Sequence, residues 1–526
     1  MEQLVSLMTA EGLAPALVSE QAANVAKLLS ELSGTCVYAE SITTMDGCVL
    51  FMARRKLQNL LGAVSNSRDA LEAMGLMGEI CTSGDSTELH VQICETTHEN
   101  AVTLRKLLPF TSPSLVGMKT SAGCGDRLGI TTPGHIRALR GSGLMGVFAQ
   151  QSIREMSRTQ RTAEEVIDDA TWGVFQEGYR EGFGSDADHL KTAEDIDRCL
   201  AAGFTMFTID PGDHVDNAAD EDDETTLAEK YERLPWSSLE SSPADCRQMY
   251  TDGVFKINDD LELTFTREIL LRAAAKYSSA VAHTVQLYRH LIEKVGEGAF
   301  ELEVSVDETA TPTTVVEHFF IASELKRLGV KWVSLAPRFV GEFEKGVDYI
   351  GDLEVFEREF SQHAAVARRF GPYKISLHSG SDKFSIYPII STHTKNLFHL
   401  KTAGTSYLEA LRVVALCDPT LFREILAFAI ERYPEDRASY HVSADTAKVP
   451  EADKLRDAQL AGLLDQFDCR EILHVTFGSV LNVKTSEDLY RFRDRLFHTL
   501  NEHEETYYTA IAKHIGKHIA PFTESK

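Results

Sequence analysis

The chain has 526 residues, of which 43% are hydrophobic and 25% are charged, the composition of an ordinary globular protein. Its formal net charge of −26 offers no basic surface for nucleic acid. No apolar run reaches the roughly 18 residues of a membrane span, and residues 1–20 do not resemble a signal peptide. The nine cysteines form no Cys-x-x-Cys pair, so neither a zinc ribbon nor a redox motif is supported. We expect a cytoplasmic protein that binds neither nucleic acid nor membrane.

Residues 1–112 mix helical stretches with strand-like runs such as Cys48–Met52 and Leu89–Cys94, which predicts an N-terminal α/β extension. After Pro113 short apolar runs recur, each followed by a polar cluster and then by a helical segment. Such runs indicate a parallel sheet, and eight of them favour closure into a (β/α)8 TIM-type barrel. An open doubly wound sheet is the alternative. The eight runs are Leu115–Lys119, Gly146–Gln150, Ala187–Leu190, Phe204–Ile209, Ala299–Val306, Val330–Ala336, Tyr373–Leu377 and Leu397–Lys401.

The predicted barrel spans residues 113–410, and residues 411–526 form a mainly helical C-terminal extension. Between the fourth and fifth runs lies a long insertion at 216–255, which contains the acidic stretch Asp216–Glu224. Such a stretch is either a solvated surface loop or a lid over a site.

The fifth run carries the clearest chemical signal. Glu301, Glu303, Ser305 and Asp307 alternate with apolar residues, so one alternating set must face the interior. Buried carboxylates occur almost only where they are paired or bind a cation. Glu303 or Asp307 is therefore expected to act as a metal ligand or a base, and a buried salt bridge to Arg338 is the alternative.

Histidines at the ends of the third and seventh runs, His189 and His378, add imidazole donors to this carboxylate. Active groups of a barrel collect at the carboxyl ends of its strands, so residues on different strands can share one site. The candidate metal ligands are His189, Glu303 and His378, a mixed set that suits zinc, nickel, manganese or iron(II). The substitutes are His214, Glu342 and His399.

Cations and neutral polar groups at other strand ends indicate a small anionic substrate. Arg127, in the glycine-rich loop 121–129, can clamp a carboxylate, and Gln150 with Ser152 can bind hydroxyl groups. The candidate substrate-binding residues are Arg127, Gln150, Ser152, Arg338, Ser379, Lys383 and Lys401.

Several stretches resemble the tagaturonate epimerase family. They are GCGDRLGITTPGHIRAL (123–139), DDATWGVFQEGYREGFGSDADHLK (168–191), FTMFTIDPGDHV (204–215), FELEVSVDETATPT (300–313), RFVGEFEKGVDYIGDL (338–353), YKISLHSGSDKFSIYP (373–388) and FHLKTAGTSYLEA (398–410). The resemblance implies a divalent metal ion and interconversion of D-tagaturonate and D-fructuronate, a sugar-acid reaction of hexuronate catabolism.

A more distant likeness connects the chain to class II sugar-phosphate aldolases. Asp188 and His189 are similar to the Asp-His pair that follows a strand in those barrels, and the turn from His378 to Asp382 is similar to one that carries a further histidine. The likeness implies that His189 and His378 bind metal and that Asp188 transfers protons. The remaining aldolase histidine has no counterpart here, and Glu303 or Glu342 is expected to replace it.

The carbon that differs between the two ketouronates is β to the ketone, so its C–H bond is not acidified. We therefore expect retro-aldol cleavage and re-formation, with Asp188 and either Asp210 or Asp307 as catalytic carboxylates. No Gly-x-Gly-x-x-Gly turn that follows a strand and has an acidic residue downstream supports the rival route through bound NAD. The alternatives are an aldolase or ketose isomerase acting on a related sugar, or a non-catalytic partner subunit. Assembly into a homo-oligomer is a further expectation.

Overall fold

In a computed structural model, residues 2–9, 12–83, 89–251 and 253–523 are described. The first part of the chain forms an antiparallel sheet in the order β1-β3-β4-β6-β5, with β2 paired to β3. Its strands are β1 (Cys36–Val37), β2 (Thr43–Met45), β3 (Cys48–Arg55), β4 (Gln58–Ser65), β5 (Gly78–Ser83) and β6 (Leu89–Glu95). Its helices are α1 (Glu2–Leu7), α2 (Ser19–Ser33), α3 (Arg68–Ala73) and α4 (His98–Leu107). The runs predicted at Cys48–Met52 and Leu89–Cys94 lie in β3 and β6.

Eight parallel strands close into a barrel, which confirms the TIM-type prediction. The closing pair joins the last strand to the first, with Lys401 opposite Gly123. The remaining strands are β7 (Ser121–Gly123), β8 (Met145–Ser152), β9 (Gly184–Leu190), β10 (Met206–Ile209), the hairpin β11 (Val254–Lys256) and β12 (Glu262–Thr264), then β13 (Glu301–Val306), β14 (Ser334–Pro337), β15 (Lys374–Leu377) and β16 (Phe398–Lys401). All of these except the hairpin belong to the barrel.

Seven of the eight predicted runs overlap a barrel strand, but the first prediction, Leu115–Lys119, is wrong. Gly117 has φ +63°, a left-handed turn that interrupts this run, and the strand is β7 instead. A strand of small residues is needed there, because a Cβ added at Gly123 would lie 2.9 Å from Oε1 of Gln150. Such a strand has no apolar pattern, whereas the run before it has one.

Helices follow the barrel strands and pack around them. They are α5 (Thr132–Leu139), α6 (Ile153–Thr159), α7 (Ala163–Gln176), α8 (Ala193–Ala202), α9 (Glu224–Glu232), α10 (Pro243–Tyr250), α11 (Arg267–Val295), α12 (Val315–Arg327), α13 (Leu353–Phe370), α14 (Tyr387–Thr394) and α15 (Thr405–Cys417). The insertion is not an open loop: it contains α9, α10 and the hairpin, and its Leu227 and Tyr231 are fully buried in the main core. Its acidic residues stay outside this core because α9 buries its apolar side.

The final part of the chain is helical. Its helices are α16 (Pro419–Asp436), α17 (Asp457–Leu460), α18 (Phe467–Val475), α19 (Phe477–Asn482), α20 (Arg493–Glu502) and α21 (Glu504–Thr523). Helix α21 packs closely on α5, where a Cβ added at Gly134 would lie 2.6 Å from Cβ of Ile511. No helix in the described part of the chain combines the length and apolarity needed to cross a membrane. The domain boundaries at 112 and 410 stay predictions.

Candidate active site at the carboxyl ends of the barrel strands

Two histidines from opposite parts of the barrel meet at its carboxyl end. His189 lies in β9 and His378 directly follows β15, and Nε2 of His189 is 3.2 Å from Nδ1 of His378. His189 has φ +53°, a left-handed conformation that non-glycine residues adopt mainly in turns and at functional sites. Two imidazole nitrogens at this distance must share either a proton or a cation.

The second nitrogen of each imidazole contacts a buried carboxylate. Nδ1 of His189 lies 3.3 Å from Asp210, and Nε2 of His378 lies 2.6 Å from Glu303. Carboxylates in this position fix the ring orientation of histidines that bind metal ions. Asp210 and Glu303 therefore lie behind the two rings, where each can orient a histidine. The sequence predicted different roles, a catalytic acid/base group for Asp210 and a metal ligand for Glu303.

Asp188 supplies the carboxylate that faces both histidines. Asp188, His189 and His378 each offer a donor atom, and these atoms lie within 4.8 Å of one another. The 3.2 Å between the imidazole nitrogens is close to the spacing of two nitrogens bound to one ion at about 2.1 Å. Two imidazoles and one carboxylate suit several divalent transition metals. This donor set therefore fits the implied metal ion.

Lys401, predicted to bind a substrate carboxylate, is surrounded by carboxylates of the protein itself. Its ammonium nitrogen lies 2.7 Å from Asp186, 2.6 Å from Asp188 and 2.7 Å from Glu303, and all four side chains are buried. Burial acts to lower the pKa of Lys401, but the three carboxylates outweigh this effect and raise the pKa well above its usual value. The ammonium is an internal cation of the barrel.

The carboxylates Asp188 and Asp307 are held in the ionised form. Burial acts to raise the pKa of Asp188, but Lys401, His189 and His378 outweigh it and keep the pKa well below its usual range. Burial opposes ionisation of Asp307 in the same way, and His378 holds the pKa of this group well below its usual range. Both groups can therefore bind a cation or accept a proton at neutral pH.

Two adjoining cavities open at this end of the barrel. The smaller one, of about 40 Å³, contains Asp188 and His189, and the larger one, of about 290 Å³, contains Asp307 and Arg338. The side chains that line both are Arg154, Lys345, His378, Ser379 and Tyr440. The two cavities thus form one cleft. Residues of the insertion line neither of them in the described part of the chain, which gives no support to the lid interpretation.

The neutral groups predicted from the second strand do reach the cleft. Gln150 lies 3.4 Å from Asp188 through its Nε2, and its buried Oε1 has no hydrogen-bond partner among the described residues. Ser152 also lines the smaller cavity, where its hydroxyl caps α6 by accepting the backbone N–H of Glu155. Ser379 lines both cavities and has φ +51°.

Two cations that were predicted to bind substrate form hydrogen bonds with other groups of the protein. Arg127 lines the smaller cavity, but its guanidinium donates to Glu155 at 3.0 Å and stacks on the Phe477 ring at 3.6 Å. Lys383 lines neither cavity, and its ammonium donates to three backbone carbonyls, those of Glu344, Val347 and Ser381. Burial lowers the pKa of Lys383 to about 7. Each side chain thus contacts groups of the protein itself, and the substrate-binding roles of Arg127 and Lys383 stay predictions.

The substitute ligands lie elsewhere or face other partners. His399 is buried inside the barrel with Nδ1 2.9 Å from the Ser121 hydroxyl, and burial lowers its pKa to about 3. His214 stacks on His283 with ring centroids 4.0 Å apart. Glu342 lies at the larger cavity and pairs with His441 at 2.7 Å.

Several lining residues were not predicted from the sequence. Arg154 follows Ser152 in the first turn of α6, and Lys345 lies in the loop between β14 and α13. The length of that loop is a signal that could have indicated Lys345, because long loops at this end of a barrel carry function. Tyr440 and His441 come from the C-terminal extension. Their position in the sequence gives no sign of the cleft, because they follow the last barrel strand by many residues.

The fold and the cleft define a barrel enzyme that gathers histidines, carboxylates and cations for chemistry on a small polar molecule. Residues 38–522 match the model of the tagaturonate epimerase family. A tagaturonate/fructuronate epimerase of Thermotoga maritima is 46% identical over 483 residues, which cover 92% of this chain and 96% of that protein. The chain belongs to the tagaturonate epimerase family, and it is therefore an isomerase.

Solved structures agree with this assignment. The fructuronate-tagaturonate epimerase of Cohnella laeviribosi, crystallised with one glycerol, is similar with a TM-score of 0.87 and 39% identity. The similarity covers 96% of this chain and 99% of that one. The native crystal structure of the same enzyme has a TM-score of 0.86, with the same identity and coverage.

Proposed function

We propose that this protein interconverts D-tagaturonate and D-fructuronate with a divalent metal ion held by Asp188, His189 and His378. The family membership and the substrates in the names of its relatives support the reaction. The observation that carries the metal site is the 3.2 Å contact between Nε2 of His189 and Nδ1 of His378, with a carboxylate behind each ring. A role in hexuronate catabolism follows from the same reaction.

The route that we propose breaks and re-forms a carbon–carbon bond, because the C–H bond of the carbon that inverts is β to the ketone and is not acidified by it. A divalent ion, when bound, would supply a Lewis acid for the ketone oxygen. The C3–C4 bond breaks, and its electron pair moves toward the ketone. The C4 fragment becomes the aldehyde tartronate semialdehyde and the other fragment is the enediol form of dihydroxyacetone. The aldehyde group rotates and presents its opposite face to the enediol. The same bond then re-forms with C4 inverted and with no net oxidation.

Asp307 is the group that we assign to the proton of the C4 hydroxyl. It lines the larger cavity, is ionised, and can accept this proton before cleavage and return it after the bond re-forms. Asp210 lines neither cavity, so its role is to orient His189. Asp188, predicted as the acid/base group, pairs with Lys401 through Oδ1 and also belongs to the metal donor set.

The test follows tagaturonate turnover in the purified protein before and after chelation, with metal content measured in parallel. We expect chelation to abolish turnover and added metal to restore it. Supplying dihydroxyacetone and tartronate semialdehyde should yield ketouronate, and C4 should retain its hydrogen in deuterated water. Full turnover without metal would overturn the metal assignment, and deuterium at C4 would overturn the retro-aldol route. Release of free three-carbon products as the main outcome would identify an aldolase instead.

A further inference from the structure

Two cations that line the larger cavity pair with none of the three carboxylates that line it. Three carboxylates line it, and each has a basic partner that also lines it. The pairs are Asp307 with His378 at 3.2 Å, Glu308 with Arg154 at 3.0 Å, and Glu342 with His441 at 2.7 Å. Two further cations, Arg338 and Lys345, remain. Neither has a carboxylate within 4.0 Å among the described residues.

Both remaining cations contact neutral groups and keep donors for a ligand. The backbone N–H of Arg338 donates to the Thr313 hydroxyl at 3.1 Å. One nitrogen of its guanidinium donates to the backbone carbonyl of Thr309. Lys345 donates to the hydroxyl of Ser379, the residue that follows His378. A guanidinium has five N–H donors and an ammonium has three, so most of these donors have no hydrogen-bond partner in the described structure.

We propose that Arg338 and Lys345 bind the carboxylate of the sugar acid, with the reacting carbons beside His189 and His378. The inference rests on the proposed function, and it names the feature by which the site selects an acid over a neutral ketose. Lys345 and His378 both line the two cavities, so a ligand anchored at Lys345 extends directly to the paired histidines.

Two independent observations support this assignment. The other cations considered for the carboxylate are committed elsewhere: Arg127 to Glu155, Lys383 to backbone carbonyls and Lys401 to three carboxylates. The chain also carries a net charge of −26, so an anionic ligand needs a local excess of positive charge.

The test compares D-tagaturonate with D-tagatose, in which a neutral CH2OH group replaces the carboxylate. The variants are Arg338→Met and Lys345→Met, with Arg338→Gln and Lys345→Gln as polar alternatives. Arg369→Met, which removes an exposed cation on α13, is the matched control. We expect KM for tagaturonate to rise by about 10- to 100-fold in the cleft variants, because each removes a charge-assisted contact. Values of kcat/KM for tagatose should change by less than about threefold in the same variants.

Binding measured by calorimetry separates this inference from the proposed function. If the natural protein binds tagaturonate but does not epimerise it, the proposed function fails, and loss of tagaturonate binding in Arg338→Met still supports the carboxylate site. Equal affinity of the natural protein for tagaturonate and tagatose would overturn the inference. If folded variants lose affinity for tagaturonate and tagatose alike, the inference is also overturned, because such a loss indicates a structural role of the two cations. Unfolding temperatures of all variants identify any that fail to fold, and the glutamine variants then provide the comparison.

Discussion

The ammonium of Lys401 lies 2.6 Å from Oδ1 of Asp188, inside a barrel whose interior holds Asp186 and Glu303 as well. Barrels of this type are usually filled by branched apolar side chains. Here one cation neutralises part of a three-carboxylate cluster, and Asp188 belongs both to this cluster and to the proposed metal donors. Stability and metal binding therefore depend on the same buried charges.

Replacing Lys401 by methionine should cost about 3–5 kcal/mol of unfolding free energy, because it leaves carboxylates buried without their cation. The measurement is a urea unfolding curve of each protein at neutral pH. Lys326→Met, on the exposed side of α12, should change stability by less than about 0.5 kcal/mol. A loss below about 1 kcal/mol in Lys401→Met would mean that the carboxylates obtain another partner or become protonated. If added methylammonium restores the unfolding free energy of Lys401→Ala, that result identifies the missing cation directly.

Variants of the two histidines should differ from variants of the carboxylates behind them. His189→Ala and His378→Ala are expected to remove stoichiometric metal, since each deletes a donor. Asp210→Asn and Glu303→Gln should weaken metal affinity by about 10- to 100-fold without abolishing it, as expected for groups that orient a ligand. Metal titration followed by elemental analysis measures both effects. Stoichiometric metal in His189→Ala, or none in Glu303→Gln, would reverse these assignments. His214→Ala, at a stacked and exposed histidine, is the control.

Asp307→Asn should retain metal and fold normally, yet turn over tagaturonate about 10²- to 10⁴-fold more slowly, the range for loss of a general base. The asparagine keeps the shape of the side chain but cannot accept the hydroxyl proton. The measurement pairs single-turnover rates with metal content. Asp188→Asn provides the contrast, because loss of metal in that variant and not in Asp307→Asn separates a ligand from a base. Near-normal turnover rates in Asp307→Asn would instead assign the proton transfer to Asp188, as the sequence predicted.

Stability should fall as the pH decreases from 6.5 toward 4. Burial lowers the pKa of His363 and of His518 to about 4, against an ordinary value of 6.5. Between these values the unfolded chain binds more protons than the folded one, so unfolding free energy rises with pH across this window. Nδ1 of His363 lies 2.9 Å from Nδ1 of His318, a pair that must keep a shared neutral hydrogen bond. Urea midpoints at several pH values measure this dependence.

The control for this pH dependence is a variant that cannot titrate. Between pH 6.5 and 4 the unfolding free energy of His363→Gln should fall less than that of the natural protein. The slope of unfolding free energy against pH should be smaller by the equivalent of about one bound proton. An unchanged slope would mean that other groups, such as the buried carboxylates, account for the acid sensitivity.

The sequence by itself determined the barrel and the chemical character of its carboxyl end. Apolar runs and the polar residues at their ends are local patterns. They located His189, His378 and the carboxylates Asp188 and Asp307 at the carboxyl ends of their strands. The same patterns missed β7, because a strand of small residues buries backbone without an apolar signal.

Only the tertiary structure decided which of these groups face one another and which cations pair with carboxylates. Glu303 lies behind His378 because the closed barrel sets their strands in register, and Asp188 faces both imidazoles instead. Lys401, predicted to bind substrate, contacts carboxylates from β9 and β13, whereas Lys345 has no carboxylate within 4.0 Å in the part of the chain that the structure describes. The physical reason is that pairing depends on distances between residues far apart in the chain, and barrel closure fixes those distances.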